Sequence, residues 1–333
     1  MRLPAGEIKK RAKIAQKKLA ACDLCPRQCR ADRTNGQTGF CGAADRMIIS
    51  HIGLHHGEEP PLSGTRGSGA VFFTYCNLHC CYCQNWQISH PPASAPQHEY
   101  TPHALAAEMV KLQKQGAHNI NLVSPSHYVP QIIASLHHAI LGGLEIPIIY
   151  NTNGYDSVET LRLLDGIIDI YLPDLKYAHD AMAKKYSQAI NYALYNQSAI
   201  KEMYRQVGRL KLDAYGIATQ GLIVRHLVLP GNIAGSQASL EFLAGLSPDI
   251  HLSLMSQYRP EYRATRYPEL NRKINSTEYD KALANAEHLG LSNGWRQEFE
   301  SNEMLFPDFE KSRPFNWCDD DSNKKRTVSK NQL

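Results

Sequence analysis

Residues 70–83 read AVFFTYCNLHCCYC, and the rest of the chain is best read outward from them. Ala70 to Tyr75 is apolar, aromatic and β-branched, the composition of a buried strand. Three cysteines follow in the pattern C-x3-C-x2-C: Cys76, Cys80 and Cys83. The spacing predicts three thiolates on a short loop at the C-terminal end of a strand. Thiolates select soft or borderline metals, chiefly zinc and iron–sulfur clusters. A closed cluster site uses four cysteines. Three can hold three irons of a [4Fe–4S] cube and leave the fourth iron open to a substrate or cofactor. A zinc knuckle, with His79 or His90 as fourth ligand, is the other reading of the same residues. Cys81 fits no ligand spacing in this pattern and reads as a packed thiol.

The chain has 333 residues, 43% hydrophobic and 20% charged. Such a chain is globular and can bury a sizeable core without disulfides. A net charge of +4 is too small to indicate a nucleic-acid partner. No run of 18 or more apolar residues exists, so nothing in the sequence reads as a membrane span. The opening MRLPAGEIKKRAK lacks the apolar region of a secretory signal. Eight of the nine cysteines fall in two tight groups, which reads as metal ligation rather than disulfide pairing. The compartment expected is therefore reducing, the cytoplasm.

Glu7 to Ala21 reads as a basic helix with Ile8, Ala12, Ala15 and Leu19 on one face. The second cysteine group follows, CDLCPRQC, with Cys22, Cys25 and Cys29, then Cys41 after a turn-rich stretch. Four thiolates can close a tetrahedral zinc site or hold a complete cluster, and both remain open. Met47 to Gly69, with HHGEEPPLSG inside it, reads as a connector forming an ordered loop over the mouth of the core. Its glycines precede a strand rather than joining a strand to a helix, which excludes a phosphate loop.

From residue 70 strands and helices alternate. The strands read are 70–75, 119–124, 147–153, 167–176, 222–229 and 251–257. The helices between them are 103–115, 130–141, 157–164, 180–210 (as two helices) and 237–246, with a further helix at 277–289. Strands apolar along most of their length, alternating with helices, predict an α/β fold with a parallel sheet and right-handed crossovers. An open doubly wound sheet and an incomplete barrel both satisfy that pattern. In a parallel barrel the C-terminal strand ends carry the chemistry. Those ends hold Ser124, Ser126 and His127; Asn151, Thr152 and Asn153; Asp174 and Lys176; Arg225 and His226; and Gln257, Tyr258 and Arg259. Trp295, Trp317 and Cys318 read as packing a C-terminal extension, and the tail from Asp319 reads as disordered.

The cysteine loop resembles that of the radical SAM enzymes. With TNG at 152–154, DLK at 174–176 and VRHLVLPG at 224–231, the chain is similar to the pyruvate formate-lyase activating enzymes. The N-terminal CDLCPRQC and the HHGEEPPLSG loop resemble more narrowly an activating-enzyme-like branch with an N-terminal four-cysteine module, over about residues 22–260. SPSHY stands where the family carries a glycine-rich segment, and Asn151 where the activases have an acidic residue.

The resemblance implies a partial (β/α)6 barrel and a [4Fe–4S] cluster on Cys76, Cys80 and Cys83. It implies S-adenosylmethionine (SAM) on the open iron and a 5′-deoxyadenosyl radical that abstracts hydrogen. Tyr82, Ser124, Asn153, Asp174, Lys176 and Arg225 would contact or flank SAM. The expected partners are a flavodoxin- or ferredoxin-like electron donor and a protein substrate, with a glycyl radical enzyme first among candidates. After the sixth strand only one clear helix follows, so the mouth is expected to be open to such a partner. Modification of a small molecule or peptide is the alternative within this class; a non-catalytic iron–sulfur or zinc protein is the alternative outside it. The chain then divides into an N-terminal helix and cysteine module (1–62), the core barrel (63–265), a C-terminal helical extension (266–318) and a tail (319–333).

Overall fold

The computed structural model describes residues 3–95, 97–299, 307–311 and 313–315. Trp317, Cys318 and the tail from Asp319 lie outside the described residues. The strands are β1 (Met47–His55), β2 (Ser68–Phe73), β3 (Glu99–Tyr100), β4 (Ile120–Val123), β5 (Ile148–Thr152), β6 (Ile170–Pro173), β7 (Lys211–Leu212), β8 (Ala218–Leu227), β9 (His251–Met255) and β10 (Gly294–Arg296). The α-helices are α1 (Ala5–Lys17), α2 (Pro60–Ser63), α3 (Trp86–Ser89), α4 (Pro102–Lys114), α5 (Val129–Leu141), α6 (Val158–Leu163), α7 (Asp180–Ser187), α8 (Tyr192–Val207), α9 (Ser236–Leu246) and α10 (Ser276–His288). Among these none is long and apolar enough to cross a membrane.

The sheet runs β10-β9-β8-β6-β5-β4-β2-β1-β3, with β7 paired to β8. From β2 through β10 the neighbours along this order are parallel, while β1 is antiparallel to β2. Alternate residues separate two faces. Val71, Phe73, Leu122, Tyr150, Tyr171, Leu222, Val224 and Leu252 share one core with the buried residues of α4, α5, α8, α9 and α10. The intervening residues join other partners. Ile149, Ile170, Leu172 and Ile223 pack with Leu62 of α2, and Ala70, Phe72 and Val123 pack with Ile88 and Phe315. Long helices thus cover one face, and loops and short helices fill the other. That is the layering of a partial (β/α)6 barrel, not of a sheet wound on both sides.

Local signals explain the boundaries. Thr101 caps α4, its hydroxyl accepting from the Ala104 N–H at 3.2 Å, with Pro102 in the first turn. Asn275 and Glu278 form a reciprocal capping box on α10. The predicted helical stretch 180–210 is two helices, because Gln188 and Asn191 both adopt left-handed backbone. The strand read over 167–176 is shorter: Ile167 and Ile168 hydrogen-bond back to Leu164 in a turn, and regular pairing begins at Ile170.

One expectation fails. Met47–His55 is not connector but strand β1, and the HHGEEPPLSG loop lies at the opposite end from the cysteines. Asn119 Nδ2 donates to the Leu62 carbonyl at 2.7 Å, and the Gly69 N–H donates to the Asn119 carbonyl at 2.9 Å. Both contacts are at the N-terminal starts of β2 and β4. The loop closes the floor of the barrel, with Leu62 as its apolar stopper.

Candidate active site around the cysteine loop

Beyond Phe73 the chain turns at Tyr75, which holds a left-handed φ of 75°. The loop that follows is fastened by its backbone. The His79 N–H donates to the Ser187 carbonyl at 3.1 Å and the Cys81 N–H to the Tyr186 carbonyl at 2.7 Å. The Arg263 N–H donates to the Cys81 carbonyl at 2.8 Å.

Each sulfur of the triad has at least one side-chain partner, and Cys76 also accepts from the Leu78 N–H at 3.4 Å. Asn153 Nδ2 donates to Cys76 Sγ at 3.3 Å, and Ser187 Oγ donates to Cys80 Sγ at 3.0 Å. Ser89 Oγ lies 3.1 Å from Cys83 Sγ. The Cys76 thiol is raised to about 12 and the Cys83 thiol to about 11, chiefly by burial and in part by the neighbouring thiols. Burial also raises Cys80, against the pull of the Lys176 ammonium. Three buried neighbouring thiols resist ionising together unless a cation joins them, and metal binding supplies that charge. Among the described residues no three His, Cys, Asp or Glu side chains are drawn together around one point, at this loop or in the N-terminal group. A cubane takes each thiolate on a different iron, and the loop's three separately supported sulfurs fit that donor set. Cys81 lies in the same core cluster as Cys76 and Cys80 and also lines a cavity with His79 and His90. His79 and His90 face each other with ring centres 4.3 Å apart, and His79 also packs on Phe40 at 3.9 Å.

The residues assigned to SAM by resemblance divide into two sets. Lys176 and Asp174 stand beside the loop as an ion pair, Nζ to Oδ2 2.7 Å, with side chains 18% and 22% exposed. Burial alone would lower the Lys176 ammonium; Asp174 and the Cys80 and Cys83 thiols together raise it above the ordinary lysine value. Ser124 turns the chain after β4 with φ 58°, its N–H bonded to the Asn151 carbonyl at 2.9 Å. All three lie just past the C-terminal ends of β4 and β6, the end of the sheet that carries the cysteine loop. The other three are engaged. Asn153 spans Cys76 and Asn77 Oδ1, the latter at 2.7 Å, and its own oxygen accepts from the Tyr155 N–H at 2.9 Å. Tyr82 is buried and gives its hydroxyl to Tyr177 at 2.7 Å. Arg225 is clamped from the floor. Its Nε donates to Glu59 Oε1 at 2.7 Å, and its outer nitrogen bonds both Glu59 and Glu58.

Other strand-end residues also serve the frame. His226 bridges the Leu175 carbonyl and Ser236, His127 bonds the Thr74 carbonyl, and Tyr258 bonds the Leu270 carbonyl. Gly154 explains the TNG turn: with φ 76°, a Cβ there would lie 2.3 Å from the Asp174 carbonyl oxygen. Ser187 and Ser89 were not singled out in the sequence. Ser187 is 107 positions from Cys80 and carries no local motif; Ser89 is close to Cys83 but has an unremarkable context.

The N-terminal cysteines sit against the same loop. Arg27 Nε donates to the Asn77 carbonyl at 2.6 Å, and its guanidinium lies 3.3 Å over the Phe40 ring. Its charge is felt by Cys25 and Cys41 on one side and Cys76 on the other. The Cys25 thiol is raised to about 12, chiefly by burial and in part by Cys41 and Cys22, and Cys41 is raised by burial with smaller contributions from Cys22 and Cys29. Arg33, fully buried, ties this module to the barrel through the Ala44 and His127 carbonyls.

The mouth is less open than the sequence suggests. Phe309 and Phe315 lie against Phe72 on the inner face, with ring centres at 5.4 and 5.3 Å. Gln87, just beyond the cysteine loop, holds Asp308 at 3.1 Å and the Phe309 N–H at 2.8 Å.

A parallel partial barrel with a three-cysteine loop at the end of its first parallel strand defines a class, and comparison agrees. The model of the radical SAM superfamily matches residues 70–231. The chain belongs to the radical SAM superfamily, whose members work with a [4Fe–4S] cluster and SAM. It is 30% identical over 288 residues to an uncharacterized protein of Methanocaldococcus jannaschii, covering 84% of this chain and 78% of that one. A solved radical SAM methyltransferase from Sphaerobacter thermophilus aligns with a TM-score of 0.45 at 14% identity, over 68% of this chain and 66% of the other. Streptococcus suis SuiB, solved with precursor peptide SuiA, aligns with a TM-score of 0.45 at 10% identity, over 68% of this chain and 47% of the other. The chain thus spans about half to two thirds of these solved proteins.

Proposed function

We propose that Cys76, Cys80 and Cys83 hold the [4Fe–4S] cluster and that the protein cleaves SAM reductively to abstract hydrogen from a substrate. The observation that carries this is the Lys176–Asp174 pair beside a loop whose three sulfurs each have their own hydrogen-bond partner. When bound, the cluster supplies the electron that splits the sulfonium and yields a 5′-deoxyadenosyl radical. The chain's residues bind and orient. Lys176 offers an ammonium to a SAM carboxylate or ribose oxygen, Asp174 holds that ammonium in place, and Ser124 lines the adjoining strand end. Asn153 acts through the loop, fixing Cys76. A flavodoxin- or ferredoxin-like donor would supply the electron.

A charge-assisted hydrogen bond of this kind is worth roughly 1.5–3 kcal/mol. Lys176→Ala is therefore expected to weaken SAM binding about 10- to 100-fold by equilibrium dialysis, with iron content unchanged. Unchanged affinity would remove Lys176 from the site.

For the substrate we infer a protein or peptide, with a glycyl radical enzyme first, supported by the motifs shared with the activases: TNG, DLK and Arg225 in VRHLVLPG. Electron paramagnetic resonance after anaerobic reaction with SAM, reductant and candidate glycyl radical enzymes is the test. A stable carbon-centred doublet on the partner is expected. SAM turnover that rises only with a small molecule, and no radical on any protein, would exclude it.

We further propose that Cys22, Cys25, Cys29 and Cys41 share a second metal centre. Analysis should find zinc at about one per chain, or iron well above about four per chain. Replacing all four by serine should lower that content; an unchanged content would refute the second centre.

A further inference from the structure

We propose that a chain of buried hydroxyls, Tyr82 to Tyr177 to Ser187, ends on the Cys80 sulfur and sets the reduction potential of the cluster bound there. This rests on the assignment of the cluster to Cys76, Cys80 and Cys83. The distances are short throughout. Tyr82 Oη donates to Tyr177 Oη at 2.7 Å, the Tyr177 and Ser187 hydroxyls are 2.7 Å apart, and Ser187 Oγ donates to Cys80 Sγ at 3.0 Å.

The direction of the chain is forced. A metal-bound thiolate only accepts, so the single Ser187 proton points at sulfur. Ser187 must then accept from Tyr177, and Tyr177 from Tyr82. Three O–H dipoles line up with their positive ends towards one ligand. Tyr177 and Ser187 are fully buried and Tyr82 nearly so, which keeps water from competing. In such surroundings each hydrogen bond polarises the next. Ser187 cannot drift, because its own carbonyl accepts from the His79 N–H at 3.1 Å. The Tyr177 ring is braced edge-on by Tyr192, with ring centres 5.6 Å apart.

Buried tyrosines commonly satisfy their hydroxyls on a nearby carbonyl. Here two are spent in series on a ligand sulfur. Among the described residues, Asn153 and Ser89 reach Cys76 and Cys83 with no second hydroxyl behind them, and Cys76 also accepts from the Leu78 N–H at 3.4 Å, so Cys80 is the sulfur whose donor is backed by a hydroxyl series. Hydrogen bonds to the sulfurs are among the determinants of cluster potentials. The reduced cluster carries one more negative charge, so a donor favours it, and losing the donor lowers the potential.

The test is a redox titration of the anaerobically reconstituted full chain, followed by electron paramagnetic resonance of the signal that Cys83→Ala removes. Ser187→Ala should shift the reduced-to-oxidised ratio at fixed potential about tenfold towards oxidised, ~59 mV for a one-electron couple. Tyr177→Phe, which leaves the Ser187 contact in place, should shift it less in the same direction, and Tyr82→Phe less again. Ser187→Thr, which keeps the hydroxyl, should titrate near wild type. Iron content is measured first. A wild-type chain that takes no cluster onto the three cysteines would defeat the underlying assignment. Full-iron Ser187→Ala and Tyr177→Phe titrating with wild type would overturn the hydroxyl chain and leave the cluster standing. Should Ser187→Ala fail to load, Tyr177→Phe and Tyr82→Phe decide by the same criterion.

Discussion

Cys83→Ala is expected to lose the brown chromophore of the main cluster and all reductive SAM cleavage, while Cys81→Ala keeps both. The two residues are two positions apart, and the difference lies in what surrounds them. Cys83 is raised to about 11 by burial and by Cys80, and has Ser89 beside its sulfur. It shares an electrostatic neighbourhood with both other members of the triad. Without it the cube loses one of three protein anchors, and two thiolates plus SAM are too few to hold four irons. The backbone of Cys81 fastens the loop, but those bonds survive alanine, and its thiol makes no hydrogen bond to the triad's supporting side chains. Loss of the chromophore in Cys81→Ala, with retention in Cys80→Ala, would overturn the assignment.

Arg225→Ala should cost about 3–5 kcal/mol of stability, because it strips the cation from two buried carboxylates. Glu58 and Glu59 are each 6% exposed and Arg225 15%. Glu58 is further bonded by Asn121 Nδ2 at 2.7 Å, so neither carboxylate has an easy path to water. Burial pushes the Glu59 carboxyl up, and Arg225 more than offsets this, holding it below its ordinary value of 4.5. A carboxyl depressed on folding contributes stability that is full above the unfolded value and is lost as pH falls through the folded one. Wild-type stability should therefore fall as pH drops below about 4.5, and Arg225→Ala should lose much of that dependence. Urea unfolding across pH measures both effects. Adding Glu58→Gln and Glu59→Gln to Arg225→Ala should recover part of the loss. A stable single variant with weak SAM binding would return Arg225 to the cofactor site.

Six of the seven strands in the parallel run were legible because one face meets helices and the other meets α2, α3 and the C-terminal segment, so each reads as a continuous apolar run; the three-residue β10, which pairs with β9 through Trp295, was read only as packing of a C-terminal extension. β1 was not legible. MIISHIGLH carries two histidines and a glycine, and the register shifts between Ile49 and His51, which breaks the alternation. The cysteine loop declared itself by spacing alone. The fate of Arg225 did not, since its partners come from residues 58 and 59 at the floor, 166 positions away at Glu59. Ser187 and Tyr177 lay hidden for the same reason: spatial neighbours of a motif leave no mark on its spacing. Gly154 could be read in TNG, but that its bare Cα makes room for the Asp174 carbonyl required the fold.

The most direct measurement is anaerobic incubation of the reconstituted chain with SAM and a strong one-electron reductant, with every adenosyl product quantified. The account predicts methionine and 5′-deoxyadenosine in equal amounts, absent from Cys76→Ala, Cys80→Ala and Cys83→Ala. A chain that holds reduced iron on those cysteines yet leaves SAM intact would contradict it.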